Sequence, residues 1–454
     1  MQAVTRKLAE FIAETKYEDL PSDVVKQVKM CLLDYIGCAL GGSGEEDIRI
    51  LANFVKNLGG AKEATVIGYP IKVPTLSAGL VNGAMGHALQ IDDGDRFTLA
   101  HLGTEIIPAA LAVGERERCE GKELIAAIAL GYEAAMRIGY AVIPSHHNRG
   151  FCPNSTLGVF GAAVAASKIL KLSWERTADA LGSAGTQASG LEEFVIDGSA
   201  SQFLNPGHAT LSGILSALLA KEGFSGSHTI LEGQRGFCKA FSDKDDTSII
   251  IDKLGEEYQI LKVYFKPYPT CRCMHSAVDA IFKLAKEHFI QPEDVKEVRV
   301  RTYSYNIDFM CGPPPQTIAH ARLHMPYCLA CSLVEGQLTV KDFTNEKLRD
   351  AKILALMKKI KFIAADDELN QFAPHLMGTI VTMVTKDDKH YEERVALPKG
   401  EPENPMSEKE LKEKFETLAF FRGIDEKKIS EIVGVINRLE KIDDTVDLAE
   451  LLHI

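Results

Sequence analysis

Residues 86–103, GHALQIDDGDRFTLAHLG, gather His87, Asp92, Asp93, Asp95, Arg96 and His101 among glycines and small side chains. The stretch has neither helical nor strand periodicity, and loops held on a rigid scaffold are where chemistry concentrates. His101 is the natural general base, because an imidazole titrates near neutrality. Asp92 and Asp93 are suited to orient it or to bind a substrate hydroxyl. The same residues also fit a plain helix end, with carboxylates capping backbone N–H groups and His101 filling a polar gap.

A second concentration, VYFKPYPTCRCMHSAVDA, sets Lys266, Arg272 and His275 around two prolines just before a helical pattern. Cations beside a helix N-terminus suit carboxylate binding, and arginine can grip a carboxylate bidentately. The competing reading is a hinge whose cations make structural ion pairs. Two weaker clusters are SHHNRGFCPNS, with His146, His147, Arg149 and Cys152, and AHARLHMPYCLAC, with His320, Arg322, His324 and Tyr327. Adjacent surface histidines are commonly just solvated, and Tyr327 fits simple packing.

No P-loop, no GxGxxG after a strand, no HExxH and no GxSxG occurs, which disfavours nucleotide cofactors, zincin chemistry and serine hydrolysis. Cys328 and Cys331 form a CxxC and Cys271 and Cys273 a CxC, but there is no second pair at zinc-finger spacing, so no metal is expected. Ten cysteines in 454 residues read as buried thiols. A net charge of −12 without a basic run argues against nucleic acid. The N-terminal stretch lacks a signal-peptide pattern and no apolar run is read as membrane-spanning, so a cytoplasmic location and no membrane partner are expected.

The elements that must position these residues are mostly helical. SDVVKQVKMCLLDYIGCAL repeats apolar residues near a 3.6 period; Ser22 is expected to cap it, and Gly41 and Gly42 to stop it. LGVFGAAVAASKIL and HATLSGILSALLAKEGF carry small residues that permit close helix approach. After about residue 262 the pattern changes: VKEVRVRTY alternates, and GTIVTMVTKDDKHYEERVAL reads as two strands joined at Asp387-Asp388. Ser407 and Glu410 form a capping box that reopens a helical tail. The expected fold is mainly α, with a large discontinuous all-helical domain (1–262 plus 405–454) and an inserted smaller α+β lid domain (263–404).

Several stretches, in order along most of the chain, resemble the MmgE/PrpD family, which includes 2-methylcitrate dehydratase, cis-aconitate decarboxylase and iminodisuccinate epimerase. They include LPSDVVKQVKMCLLDYIGCALGG, GHALQIDDG, RGFCPNSTLGVFGAAVAASKIL, KPYPTCRCMHSAVDA and MPYCLACSLVEGQLT. The resemblance implies a homodimer, a small carboxylate substrate, and a cleft between domains that works without metal or organic cofactor. Within it, His101, Asp93, His275 and Tyr327 match catalytic positions, and Lys266, Arg272, Asp92, Gln90, Cys152 and Gln202 substrate-binding ones. Gln90 stands where the family has Asp, Cys152 where it often has His, Gln202 where it often has Lys, and Gly94 where Thr or a similar residue often follows the Asp pair. With Lys266 and Arg272 as the remaining cations, two carboxylates are better provided for than three. The implied function is a hydro-lyase acting on a small hydroxy di- or polycarboxylate by proton abstraction next to a carboxylate. An epimerase using the same α-proton chemistry, or a catalytically inactive metabolite-binding member, are the alternatives.

Overall fold

The computed structural model describes residues 3–244, 246–369 and 378–454. It is mainly α-helical. Helices Ser22–Gly42, Thr75–His87, Gly103–Glu117, Gly121–Val142, Pro153–Ile169 and Ser201–Lys221 pack on one another, and Pro153–Ile169 is buried on nearly every side. A helix apolar all round belongs inside a protein, and this one can sit there because its neighbours approach closely. At Gly213 a Cβ would lie 2.5 Å from Ala162 and 2.8 Å from the Val159 carbonyl, so Ser201–Lys221 meets Pro153–Ile169 nearly backbone to backbone.

The Ser22–Gly42 helix departs from expectation at both ends. Pro21 holds the N-cap position and Ser22 makes no capping hydrogen bond. Gly41 and Gly42 do not stop the helix but belong to its last turn, where a Cβ on Gly42 would lie 2.4 Å from the Met85 carbonyl. Both glycines serve close packing against the Thr75–His87 helix and the loop after it. One helix, Gly121–Val142, is long and apolar enough to cross a membrane by composition, contrary to the sequence reading. Its most apolar window is 94% buried within the protein, which accounts for that character as core packing.

A four-stranded sheet runs in the order Ile360–Ala364, Val295–Thr302, Thr379–Thr385, His390–Val395. The first pair is parallel and the others antiparallel, with the last two strands joined at Asp387-Asp388 as expected. The Ile360–Ala364 edge strand was not anticipated; only Ile360 of it is buried, so it lacks an alternating pattern. The capping box at Ser407 and Glu410 opens helix Glu408–Phe421.

Among the described residues two large apolar cores result, with a small third cluster of Cys38, Leu89, Ile91, Val340 and Leu418. One draws on residues from Val4 to Phe265 and again from Met406 to Leu452, so Phe415 and Leu411 of the tail pack with Leu32 and Ile36. The other draws on Met274 to Met383, joined by Cys152 and Phe194.

Candidate active site

Between these cores lies a cavity of about 130 Å³. That is below the range of drug-sized ligand sites and fits a small metabolite. His87, Gln90, Arg96 and His101 line it from the 88–102 loop region, Tyr264, Cys271, Arg272 and Cys273 from the basic segment, and Cys152, Asn154 and Glu192 from the start of helix Pro153–Ile169 and its surroundings.

The loop leaves helix Thr75–His87 and enters helix Gly103–Glu117 through a fixed path. Gln90 and Leu99 adopt left-handed backbone, with φ of 54° and 57°. Such conformations persist where the surroundings over-determine them, and here those surroundings are three buried cations from distant segments. Arg322 donates to the Ala88 carbonyl at 2.7 Å, Lys266 to that of Gln90 at 3.2 Å, and Lys414 to that of Ile91 at 2.5 Å. Asp95 closes the far side by accepting from Thr98 N–H at 2.8 Å.

That path fixes His101. Its backbone N–H donates to Asn154 Oδ1 at 2.9 Å, and its Nδ1 lies 2.5 Å from the Asp93 carbonyl, so Nδ1 carries the proton. Nε2 keeps its lone pair and has no protein partner among the described residues, while the ring lines the cavity. Burial, with the positive charge of Lys266, pushes His101 down to about 3, leaving the imidazole neutral at any ordinary pH. Behind it, burial pushes Asp92 up, but His87, Lys266 and His101 outweigh that and hold it far below the usual carboxylate range. Asp93 goes the other way, up to about 7, because of burial and neighbouring Asp34; its carboxyl accepts from Tyr132 and from Gly103 N–H.

His87, Asp92 and His101 offer ligand atoms within 4.8 Å of one another, as a metal site would. The hydrogen bonding uses most of those atoms otherwise, leaving His101 Nε2 and Asp92 Oδ1 without a hydrogen bond among the described residues. His87 Nδ1 lies 2.8 Å from Asp92, His87 Nε2 lies 2.8 Å from the Gln90 amide, and His101 Nδ1 is bound to a carbonyl. The chemistry of this donor set is therefore that of an oriented base.

Arg272 supplies the positive counterpart. Its Nε donates to Glu401, its guanidinium stacks 4.9 Å from the Tyr264 ring, and its buried Nη1 has no acceptor among the described residues. Arg96, also lining the cavity, lies 2.8 Å from the other oxygen of Glu401.

Of the ten residues singled out, His101, Gln90, Arg272 and Cys152 line the cavity. Asp92, Asp93 and Lys266 sit in the layer behind the loop. Gln202 is also buried, and its Oε1 accepts from Gln90 Nε2 at 3.2 Å, so two of the four replaced family positions touch each other. His275 opens helix His275–Glu287, fully buried, with Nε2 unpartnered. Tyr327 is farther off: its hydroxyl donates to the Asp342 carbonyl at 3.0 Å and its ring packs on Phe343.

Sequence reasoning missed Asp34, Tyr132, Tyr264, Glu401 and Lys414. Asp34 carried a readable signal, a carboxylate inside an apolar helical run; Lys414, in a stretch alternating Lys and Glu, carried none.

The chain is thus a mainly helical protein with a sheet-containing second core and a small cleft lined by a neutral histidine and an arginine. Residues 6–250 match the MmgE/PrpD N-terminal domain and residues 268–438 the MmgE/PrpD C-terminal domain. The chain belongs to the MmgE/PrpD family. It is 28% identical to cis-aconitate decarboxylase of Aspergillus terreus (strain NIH 2624 / FGSC A1156) over 99% of this chain and 96% of that one. Against the human cis-aconitate decarboxylase the identity is 25%, covering 100% and 95%. It is also 25% identical to a mitochondrial 2-methylcitrate dehydratase of Yarrowia lipolytica (strain CLIB 122 / E 150), covering 85% and 77%. These relatives are lyases by name.

Proposed function

We propose that this protein is a lyase that removes a proton from carbon next to a carboxylate of a small hydroxy di- or tricarboxylate and expels water. The observation that carries this reading is the pairing, in one small cavity, of a neutral His101 with its Nε2 lone pair free and an Arg272 whose Nη1 lacks an acceptor. A substrate carboxylate satisfies Arg272, and negative charge developing as the proton leaves is stabilised by the same guanidinium in a largely water-excluded site. His101 then accepts the proton at Nε2, its ring held by the Asp93 carbonyl and its backbone by Asn154. Lys266, behind the loop, contributes field rather than contact, and Asp93 acts by holding the base.

Decarboxylation of an unsaturated tricarboxylate is the second reading. It is favoured by the near full-length similarity to cis-aconitate decarboxylases, and it too places negative charge beside a carboxylate. On the family resemblance alone, we also propose a homodimer without cofactor.

The test is incubation with matched hydroxy and unsaturated di- and tricarboxylates in deuterated water, followed by proton NMR and carbon dioxide release. An alkene product supports the hydro-lyase, gas release the decarboxylase, and solvent label without either the epimerase. His101→Gln should lower turnover at least about a hundredfold with the fold kept. Near-native turnover removes His101 from the mechanism.

A further inference from the structure

A second set of groups in the cavity has the form of a proton relay. Glu192 Oε2 lies 2.9 Å from His147 Nδ1, and His147 Nε2 lies 3.2 Å from the Tyr305 hydroxyl. All three line the same cavity as His101. They come from three segments: His147 from the short helix Ser145–Asn148, Glu192 from a strap tied to Gly150 by a 3.0 Å backbone bond, and Tyr305 from helix Ser304–Met310, which follows the first strand of the sheet. Imidazole and phenol are thus hydrogen-bonded in series, with the phenol at the end, and the Glu192 carboxylate lies beside His147 Nδ1 as a charge neighbour without a hydrogen bond to it.

We propose that Tyr305, backed by His147 and Glu192, delivers the proton that lets the substrate's hydroxyl leave as water. This rests on the hydro-lyase reading above. His101 takes the proton from carbon, and the C–H electron pair becomes the new carbon–carbon double bond. The carbon–oxygen bond breaks, and the departing oxygen takes the Tyr305 proton. The phenolate oxygen then takes the Nε2 proton of His147, and the imidazole recovers a proton from solvent through the cavity before the next turnover, with Glu192 beside Nδ1 offsetting charge on the ring. Hydroxide is a poor leaving group, so a lyase needs an acid as well as a base. Burial, with Cys273 and Glu192 nearby, pushes the Tyr305 phenol up, so it stays protonated until the leaving oxygen calls on it. Tyr327, the tyrosine matched by resemblance, has its hydroxyl committed to Asp342.

A merely structural latch would use the same contacts, so the test must separate latch from acid. Each of Tyr305→Phe and His147→Gln is assayed with the hydroxy substrate and with its analogue carrying chloride in place of the hydroxyl, which leaves without a proton. Tyr305→Phe is expected to lower elimination of water at least about a hundredfold while elimination of chloride stays close to the native rate. His147→Gln should do the same more weakly. If both eliminations fall together in a folded variant, Tyr305 is a latch and the proposal fails. Unchanged loss of water overturns it as well. Failure of the native enzyme to eliminate from either compound, or to exchange the α-proton, overturns the hydro-lyase reading itself.

Discussion

Asp93 and Asp92 are neighbours in sequence yet hold opposite electrostatic states, because Asp92 faces His87 and Lys266 whereas Asp93 faces Tyr132 and Asp34. For Asp93 this has a measurable cost. A carboxyl that ionises near 3.9 when unfolded and near 7 when folded gives up its proton first in the unfolded chain. The native state then binds more protons, and its stability falls as pH rises from about 4 to about 7. Asp93→Asn should remove that part of the decline, read as urea midpoint against pH; curves that stay parallel across the window would refute the assignment. The residue types were legible in the sequence: His101 and Arg272 line the cavity, from two segments rich in charge and glycine or proline. Their layers were not. Lys266 has a cation's chemistry and a family match, but only packing reveals that its ammonium lies behind the loop. His147, read as one of two commonly solvated histidines, lines the cavity because Glu192 and Tyr305, distant in sequence, fold against it.

The 88–102 loop, an element without regular structure, is rigid by virtue of what grips its carbonyls. Lys414 is the most distant of those grips, and it also lies 2.6 Å from the buried Asp34. Removing one partner of a buried pair strands the other, at a cost of about 3–5 kcal/mol. Lys414→Met should therefore destabilise the protein by that order, and adding Asp34→Asn should restore most of it; lack of recovery would assign the cost to the loop carbonyl instead. At this scale the helices and the hairpin were readable because their apolar periods are long and regular. The ends of Ser22–Gly42 were misread because a glycine pair looks the same whether it stops a helix or admits a neighbour. Gln90 and Gln202 carry a related lesson. Counting each alone subtracts charge from the cleft, yet they touch, so one lost negative and one lost positive position offset each other. Arg96, left out of that count, also lines the cavity, but its charge is met by Glu401 and Glu403.

Across the whole molecule the cavity is assembled from both cores, and its acid, base and cation come from three regions of the chain. Both ring nitrogens of His87 and the Nδ1 of His101 are engaged in hydrogen bonds, which leaves only His101 Nε2 and Asp92 Oδ1 of that group to offer a metal, so exhaustive chelation followed by metal-free assay should leave turnover unchanged. Activity that returns only with a particular metal would contradict this. The tail helix Glu408–Phe421 has a further consequence. It completes the packing around Leu32 and Ile36 and neutralises Asp34, yet Lys414 is made 380 residues after Asp34. At roughly 5–20 residues per second a ribosome needs on the order of tens of seconds to cover that distance. Throughout that interval the nascent N-terminal helices lack the partners of their apolar face and of Asp34, so the first core closes only after the tail helix has been made.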